Sequence, residues 1–314
     1  MAETALPTGV LERPRPTGWR RIFLGTAGLR AGWSFLLFAG LYTLLGAGLT
    51  YGLQALAHGL PEGWTPWALS SAEAVSLLAG LATLFVLGRV EGRSFAAYGL
   101  PFRAGLPHIG RRFGEGALWG LAANAATVLA IAAAGGYALA GLALHGEALV
   151  QSAVLWGLAF LLIGISEEIV FRSFPLFTLS RGLGFWPGAV LLSAFFGALH
   201  YFTKPMETWM DGVSVSLIGL FFCLTVRRTG DLWFAMGYHF TWNFTSMAVF
   251  GSPNTGNLGR PIANHLLAGT FHGPAWLTGG PMGVEASALV FPVTALVYGL
   301  FLRRFRTVQF PLQG

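Results

Sequence analysis

The chain has 314 residues, of which 54% are hydrophobic and only 10% are charged, against about 25% charged in an average soluble domain. With a mean hydropathy of +0.62, this composition excludes an ordinary soluble globule and favours a protein that crosses a membrane several times. The net charge of +6 comes without a solvated domain to carry a basic surface, so we predict no nucleic-acid partner.

The first segment of the chain, residues 1–32, is predicted to lie in the cytoplasm. It contains no short apolar stretch followed by a small-residue cleavage site, so we expect no removable signal peptide and assign targeting to the first span. Within it, the stretch GWRRIFLGTAGLRAGW, residues 18–33, has the composition of an amphipathic helix that lies at the membrane interface.

Apolar segments follow along the rest of the chain. A window of about 20 residues finds about eight of them that approach the length of a membrane span. We therefore predict an all-α fold, a polytopic transmembrane helix bundle. The predicted spans cover 33–57, 72–88, 116–140, 150–178, 187–203, 213–226, 231–250 and 284–302.

These spans fall into groups along the chain. Residues 33–140 hold the N-terminal transmembrane helices, and 150–250 form a second helical core. The stretch 251–283 is rich in Gly, Pro and Asn and is predicted to be a long external loop. Residues 284–314 hold the last span and a cytoplasmic tail.

The basic residues indicate the orientation of the bundle. With eight spans, 17 of them fall on one side of the membrane and only Lys204 and Arg260 on the other. By the positive-inside rule both termini are expected in the cytoplasm. The use of 18 Arg and one Lys suggests a GC-rich genome, so we expect a bacterial plasma membrane.

The most unusual polar residues of the predicted spans are in GISEEIVFRS, residues 164–173. On a helix, Glu168 and Arg172 are four residues apart and share a face, which predicts an ion pair. Glu167 is rotated about 100° away and has no local partner. Because an unpaired charge inside a membrane is costly, Glu167 is predicted to be functional.

Two further groups lie on later spans. Phe196 and His200 are one turn apart in FFGALHY, and His239 and Asn243 are one turn apart in GYHFTWNF. Each group alone is typical of hydrogen bonding between helices. Together with Glu167 they supply a carboxylate, two imidazoles and a carboxamide, a set that marks functional sites in membranes. From the rise per residue, we expect them to meet in the middle-to-inner part of the bilayer.

The patterns EExxxR, FxxxH and HxxxN, in this order within 150–250, resemble the motifs of the CPBP family. This family, also called Abi, comprises CAAX prenyl-protein endopeptidases and bacteriocin-processing enzymes. The resemblance implies an intramembrane endopeptidase whose substrate is a membrane-associated or lipidated protein or peptide. Both it and the chemistry of peptide hydrolysis assign water activation to Glu167 with His200, and stabilisation of the oxyanion to His239 with Asn243. The supporting residues that it implies are Glu168, Arg172 and Phe196.

Two alternatives stay open. A zinc ion could be held by Glu167, His200 and His239 with one position open to water. Asn243 is a poor zinc ligand, which favours a metal-free, glutamate-dependent site and thus no cofactor. The same polar residues would also serve a non-catalytic membrane partner, an immunity or scaffold protein, or a transporter, as contacts between helices. Under each alternative, membrane lipid surrounds the chain.

Overall fold

The computed structural model describes residues 17–25, 28–57 and 63–309 of the chain. Over these residues it is a bundle of helices with very little strand, which confirms the predicted all-α polytopic fold. In chain order the helices are α1 (Arg20–Phe23), α2 (Ala31–Ala57), α3 (Pro66–Glu91), α4 (Leu106–Ala133), α5 (Gly146–Arg172), α6 (Phe174–Leu183), α7 (Phe185–Thr203), α8 (Trp209–Thr229), α9 (Trp233–Asn243), α10 (Ala275–Thr278) and α11 (Val290–Arg304).

Six segments of the described chain are long and apolar enough to cross a membrane. They are α2, α3, α4, α5 continued by α6, α7 and α8, and they correspond to the first six predicted spans. The predicted span 231–250 consists of α9 followed by a π-helix, Phe244–Val249, and the span 284–302 overlaps the shorter α11. Both of these helical segments are shorter than each of the other six.

Three predicted boundaries are wrong. The stretch 18–33 is the four-residue α1 followed by a small hairpin, β1 (Leu24–Gly25) with β2 (Gly28–Leu29), because glycines interrupt the amphipathic pattern. The predicted span 150–178 divides at Ser173, where the backbone leaves the helical region just before Pro175. The predicted span 116–140 stops being helical at Ala133, before a pair of glycines.

The predicted loop 251–283 contains regular structure. Beyond α4, residues Tyr137–Leu142 form β3, which pairs antiparallel with β4, Leu267–Phe271. This small sheet holds the loop against the end of α4, and α10 follows it. Trp156 of α5 donates a hydrogen bond from Nε1 to the carbonyl oxygen of Ala263 at 3.1 Å, which fixes the loop to α5 as well.

The helix ends that carry arginines gather at one end of the bundle, which we call the arginine-rich end. There Arg181, at the end of α6, donates to Glu91 at the end of α3 over 2.8 Å. Arg304, in the last turn of α11, lies 3.4 Å from Glu115 in α4. This gathering agrees with the predicted one-sided distribution of basic residues. Lys204, after α7, belongs to the opposite end, where α3 begins and the 251–289 region lies.

Helix α9 packs against both α4 and α5, and glycines let the three backbones come close. A Cβ added at Gly237 of α9 would lie 2.0 Å from the carbonyl oxygen of Phe113 in α4. A Cβ at Gly164 of α5 would lie 2.7 Å from the backbone nitrogen of Phe240 in α9. Small residues at helix crossings allow such contacts in membrane proteins. The close approach of α5 and α9 brings the EExxxR motif beside the HxxxN motif.

Candidate active site

The predicted ion pair of α5 is confirmed. Arg172 Nη1 lies 3.1 Å from Glu168 Oε1, and both side chains are fully buried. The guanidinium carbon of Arg172 lies 4.3 Å from the ring centre of Phe196 and 5.4 Å from that of Phe222. Aromatic rings on two neighbouring helices therefore stabilise the buried cation through cation–π contacts.

Glu168 also binds His239, a contact that joins α5 to α9. His239 Nδ1 and Glu168 Oε1 are 2.9 Å apart. Because a carboxylate paired with a guanidinium can only accept, Nδ1 carries a hydrogen and donates it. The other ring nitrogen, Nε2, lies 3.8 Å from Glu167 Oε2. Glu168 thus fixes the orientation of the imidazole that faces Glu167.

Glu167 and Glu168 have different surroundings although they are neighbours in sequence. The side chain of Glu167 is 27% exposed, whereas that of Glu168 is completely buried. The rotation of about 100° between successive helical residues accounts for this difference. Glu167 is therefore available to a bound molecule, and Glu168 is not.

His200 lies near the end of α7, three residues before Thr203. Its Nδ1 lies 3.0 Å from the carbonyl oxygen of Phe196, which is one turn earlier. A carbonyl oxygen only accepts, so Nδ1 carries the hydrogen and Nε2 of the neutral ring keeps a lone pair. The ring of Phe196 packs edge-on against the imidazole at 4.5 Å between centres.

A cavity of about 210 Å³ brings most of the predicted site residues together. Five of them contribute to its lining: Glu167, Phe196, His200, His239 and Asn243. The other two, Glu168 and Arg172, lie behind the cavity wall and reach it through His239 and Phe196. The four residues predicted to be catalytic therefore share one space, as a single site requires.

Two carboxylates of the cavity are absent from the sequence prediction. Glu73 of α3 lines it and accepts a hydrogen bond from the Ser166 hydroxyl. Glu285, between α10 and α11, accepts from Trp242 Nε1 at 2.8 Å. Glu73 lies inside the predicted span 72–88, so the rule that flags charges within membranes applies to it as well. Glu285 is the second residue of the predicted span 284–302, so the same rule applies to it, although a charge at the very start of a span is a weaker signal than one farther inside.

The sequence predicted that the site lies in the middle-to-inner part of the bilayer, and this depth stays a prediction. The lining of the cavity includes Trp64, Lys204 and Asn254, which lie at the end of the bundle opposite to the arginine-rich end. Counting residues along single helices could not predict which loops meet at the site.

Within residues 17–25, 28–57 and 63–309, no three His, Cys, Asp or Glu side chains are grouped so that they could hold a metal ion. Glu167, His200 and His239 all line the cavity. The zinc site and the metal-free site both stay predictions.

Residues 149–245 match the family model described as Type II CAAX prenyl endopeptidase Rce1-like. The matched segment contains all three motifs, from Glu167 to Asn243. The resemblance to the CPBP family is confirmed. Together with the six long apolar helices found among the described residues, this match supports an integral membrane protein in which residues 149–245 are similar to a CAAX endopeptidase. No curated protein and no solved structure is significantly similar to the chain.

Proposed function

We propose that the protein is an intramembrane endopeptidase that hydrolyses a peptide bond of a membrane-associated or lipidated protein or peptide. The observation that carries the proposal is the shared cavity, in which Glu167, His200, His239 and Asn243 meet inside the segment that matches the endopeptidase family. A carboxylate, two imidazoles and a carboxamide can supply the general base and the oxyanion donors that metal-free peptide hydrolysis uses.

In the proposed first step, Glu167 and His200 hold and activate a water molecule. His200 Nε2 accepts a hydrogen bond from one O–H of the water, which stays intact, since the Nδ1 hydrogen is already donated to Phe196. Glu167, the partly exposed carboxylate, takes the other hydrogen as the water oxygen attacks the carbonyl carbon. The tetrahedral intermediate then collapses. Glu167 passes its proton to the departing amine nitrogen, so the carboxylate is restored and the peptide bond is broken.

In the same proposal, His239 and Asn243 stabilise the negative oxygen of the intermediate. The Asn243 amide donates from its NH₂ group. His239 donates from Nε2 when both of its nitrogens carry hydrogen, and the carboxylate of Glu168 at Nδ1 compensates the charge. Glu168 acts here as a positioning residue, because it holds the imidazole through Nδ1 and does not line the cavity.

We also propose that the activity needs no metal, on the grounds of the site geometry and the poor zinc affinity of an asparagine. The test is cleavage of a peptide library, with and without a farnesylated C-terminal cysteine, by purified protein before and after chelation. Unchanged cleavage after chelation supports the glutamate mechanism. Loss of cleavage that returns with added zinc would overturn the metal-free mechanism and favour the metallo-type enzyme.

The protease proposal is tested by Glu167→Gln, which keeps size and removes charge. We expect thermal stability close to wild type and cleavage reduced to background. A matched control is Glu147→Gln in the exposed first turn of the same helix, which should cleave normally.

Combining Glu167→Gln with His200→Ala should add little further loss of cleavage, because the effects of residues that act as one unit are not additive. Full cleavage by Glu167→Gln would favour the non-catalytic alternative.

A further inference from the structure

The cavity reaches the loops at one end of the bundle, and we call this part of the cavity its mouth. Trp64 precedes α3, Lys204 follows α7, and Asn254 follows the π-helix after α9. All three line the cavity, are partly exposed and come from loops at the end opposite to the arginine-rich end. Thr255, next to Asn254, donates to Glu207 across this end at 2.5 Å. The mouth of the cavity is therefore framed by Trp64, just before α3, and by the connections α7–α8 and α9–β4.

The cavity is closed toward the arginine-rich end. Glu168 and Arg172 lie behind its wall and are completely buried. Phe196 is 4% exposed and Phe222 is 1% exposed, and the Arg172 guanidinium lies between their rings. These side chains form a packed floor that separates Glu167 and His239 from the ends of α5 and α8. A peptide that reaches Glu167 from the arginine-rich end would have to displace this floor.

The distribution of basic residues gives the two ends their sides of the membrane. The arginine-rich end is held together by contacts between separate helices: Arg181 with Glu91, Arg304 with Glu115, and Arg227 over the ring of Phe185 at 4.6 Å. All these arginines therefore lie on the same face of the protein. By the positive-inside rule that face is cytoplasmic, and the mouth of the cavity faces away from the cytoplasm.

We propose that the site takes its peptide substrate from the non-cytoplasmic side of the membrane. The substrate class is then a chain segment that has already been exported or is exposed on the outer surface of the membrane. A lipidated C-terminus presented from the cytoplasm meets the closed floor of the site. This inference rests on the proposed endopeptidase function, because the peptide is a substrate only if the protein cleaves it. The direction of access can nevertheless be measured without any hydrolysis.

The test is simple to build because the chain has a single cysteine, Cys223, which can be replaced so that only an introduced thiol reacts. In a Cys223→Ala background, Glu167→Cys places a thiol in the cavity, Asn254→Cys places one at its mouth, and Ser94→Cys places one at the exposed arginine-rich end. Intact bacterial cells that express each variant are treated with a small membrane-impermeant methanethiosulfonate. A second sample is permeabilised first, and the labelled fraction of each variant is compared between the two.

We expect the thiols at 167 and 254 to react in intact cells, and the thiol at 94 to react only after permeabilisation. Reaction at 167 only after permeabilisation would overturn the proposal, and so would reaction at 167 in neither sample. If Glu167→Cys does not fold, the thiol at 254 decides in the same way. Because no arm measures cleavage, a failed protease proposal leaves the direction of access intact, and a failed direction leaves the protease proposal intact.

Discussion

At the level of single residues, the two adjacent glutamates of α5 have different environments and therefore different chemistry. Glu168 binds both Arg172 and His239 through one carboxylate oxygen and is completely buried. Glu167 faces the cavity and Nε2 of His239. An ion pair alone would explain Glu168 and Arg172. The contact of Glu168 with His239 adds a second role, because it orients the imidazole ring of His239 in the proposed site.

The first prediction separates these two roles of Glu168. Glu168→Gln and Arg172→Met each leave one buried charge without its partner, which costs about 3–5 kcal/mol. The double variant removes both charges and should recover much of the lost thermal stability. Cleavage should stay low in the double variant, because the neutral side chain that Glu168→Gln introduces cannot balance the charge of a doubly protonated His239. Thermal unfolding in detergent and peptide cleavage are measured side by side.

If both single variants unfold at the wild-type temperature, the buried pair does not contribute as described. If the double variant cleaves like wild type, then Glu168 has no positioning role toward His239.

The second prediction concerns Asn243, the carboxamide of the proposed oxyanion site. Asn243→Ala removes one donor and should reduce turnover about 100- to 1000-fold, since a lost oxyanion donor costs about 2.7–4 kcal/mol. Binding of substrate should change much less than turnover. The control is Asn257→Ala, whose side chain donates only to the backbone of its own loop and should leave turnover unchanged. An Asn243→Ala protein with normal turnover but a lower unfolding temperature would indicate a purely structural asparagine.

At the level of elements, glycines decide how close the helices come. Gly116 and Gly120 are four residues apart on α4 and face α9, where added Cβ atoms would lie 2.0 Å from the carbonyl oxygen of Phe234 and 2.2 Å from that of Tyr238. This is the small-xxx-small spacing that permits close crossing of membrane helices. Because His239 lies on α9, the crossing also positions the site.

The third prediction tests this crossing with two alanines on one helix. Gly116→Ala forces α4 and α9 apart and should lower both the unfolding temperature and the cleavage rate, since overpacking costs about 1–3 kcal/mol or more. Gly114→Ala is the matched control, because a Cβ there meets nothing within 4 Å. It should be neutral or slightly stabilising, as alanine is the better helix former. Equal behaviour of the two variants would contradict the packing described for α4 and α9.

The sequence predicted most helices but not their partners. Long apolar runs identified α2 and α7 to within two residues, and α3 and α8 to within six, because a membrane span has a fixed minimum length. The pairing of β3 with β4 joins segments more than a hundred residues apart, and no local pattern indicates it. The same holds for Glu168 and His239, which share a contact only because α5 and α9 cross at Gly164.

At the level of the whole molecule, the bundle has two unlike ends. One carries the arginines, and the other carries the loops around the mouth of the cavity. The charge pattern in the sequence was sufficient to predict the first. It could not locate the mouth, because Trp64, Lys204 and Asn254 come from three separate connections and meet only in the folded chain.

The fourth prediction concerns the orientation. Tags at both termini and in the 90–112 connection should be shielded from labelling outside intact cells, and a tag in 251–283 should be accessible. Each tagged protein is also labelled after permeabilisation, which shows that its tag can react. Labelling of the 90–112 connection in intact cells would contradict the positive-inside assignment.

The central claim, that Glu167 drives hydrolysis of a membrane-associated peptide chain, is tested most directly by substrate trapping. Wild type and Glu167→Ala are expressed in cells that lack the native gene, and each is purified with whatever chains it holds. We predict that the alanine variant retains intact substrate chains, and that the same chains occur in wild-type membranes only as fragments with new termini. Identical intact partners in both samples, with no new termini in the wild type, would contradict the claim.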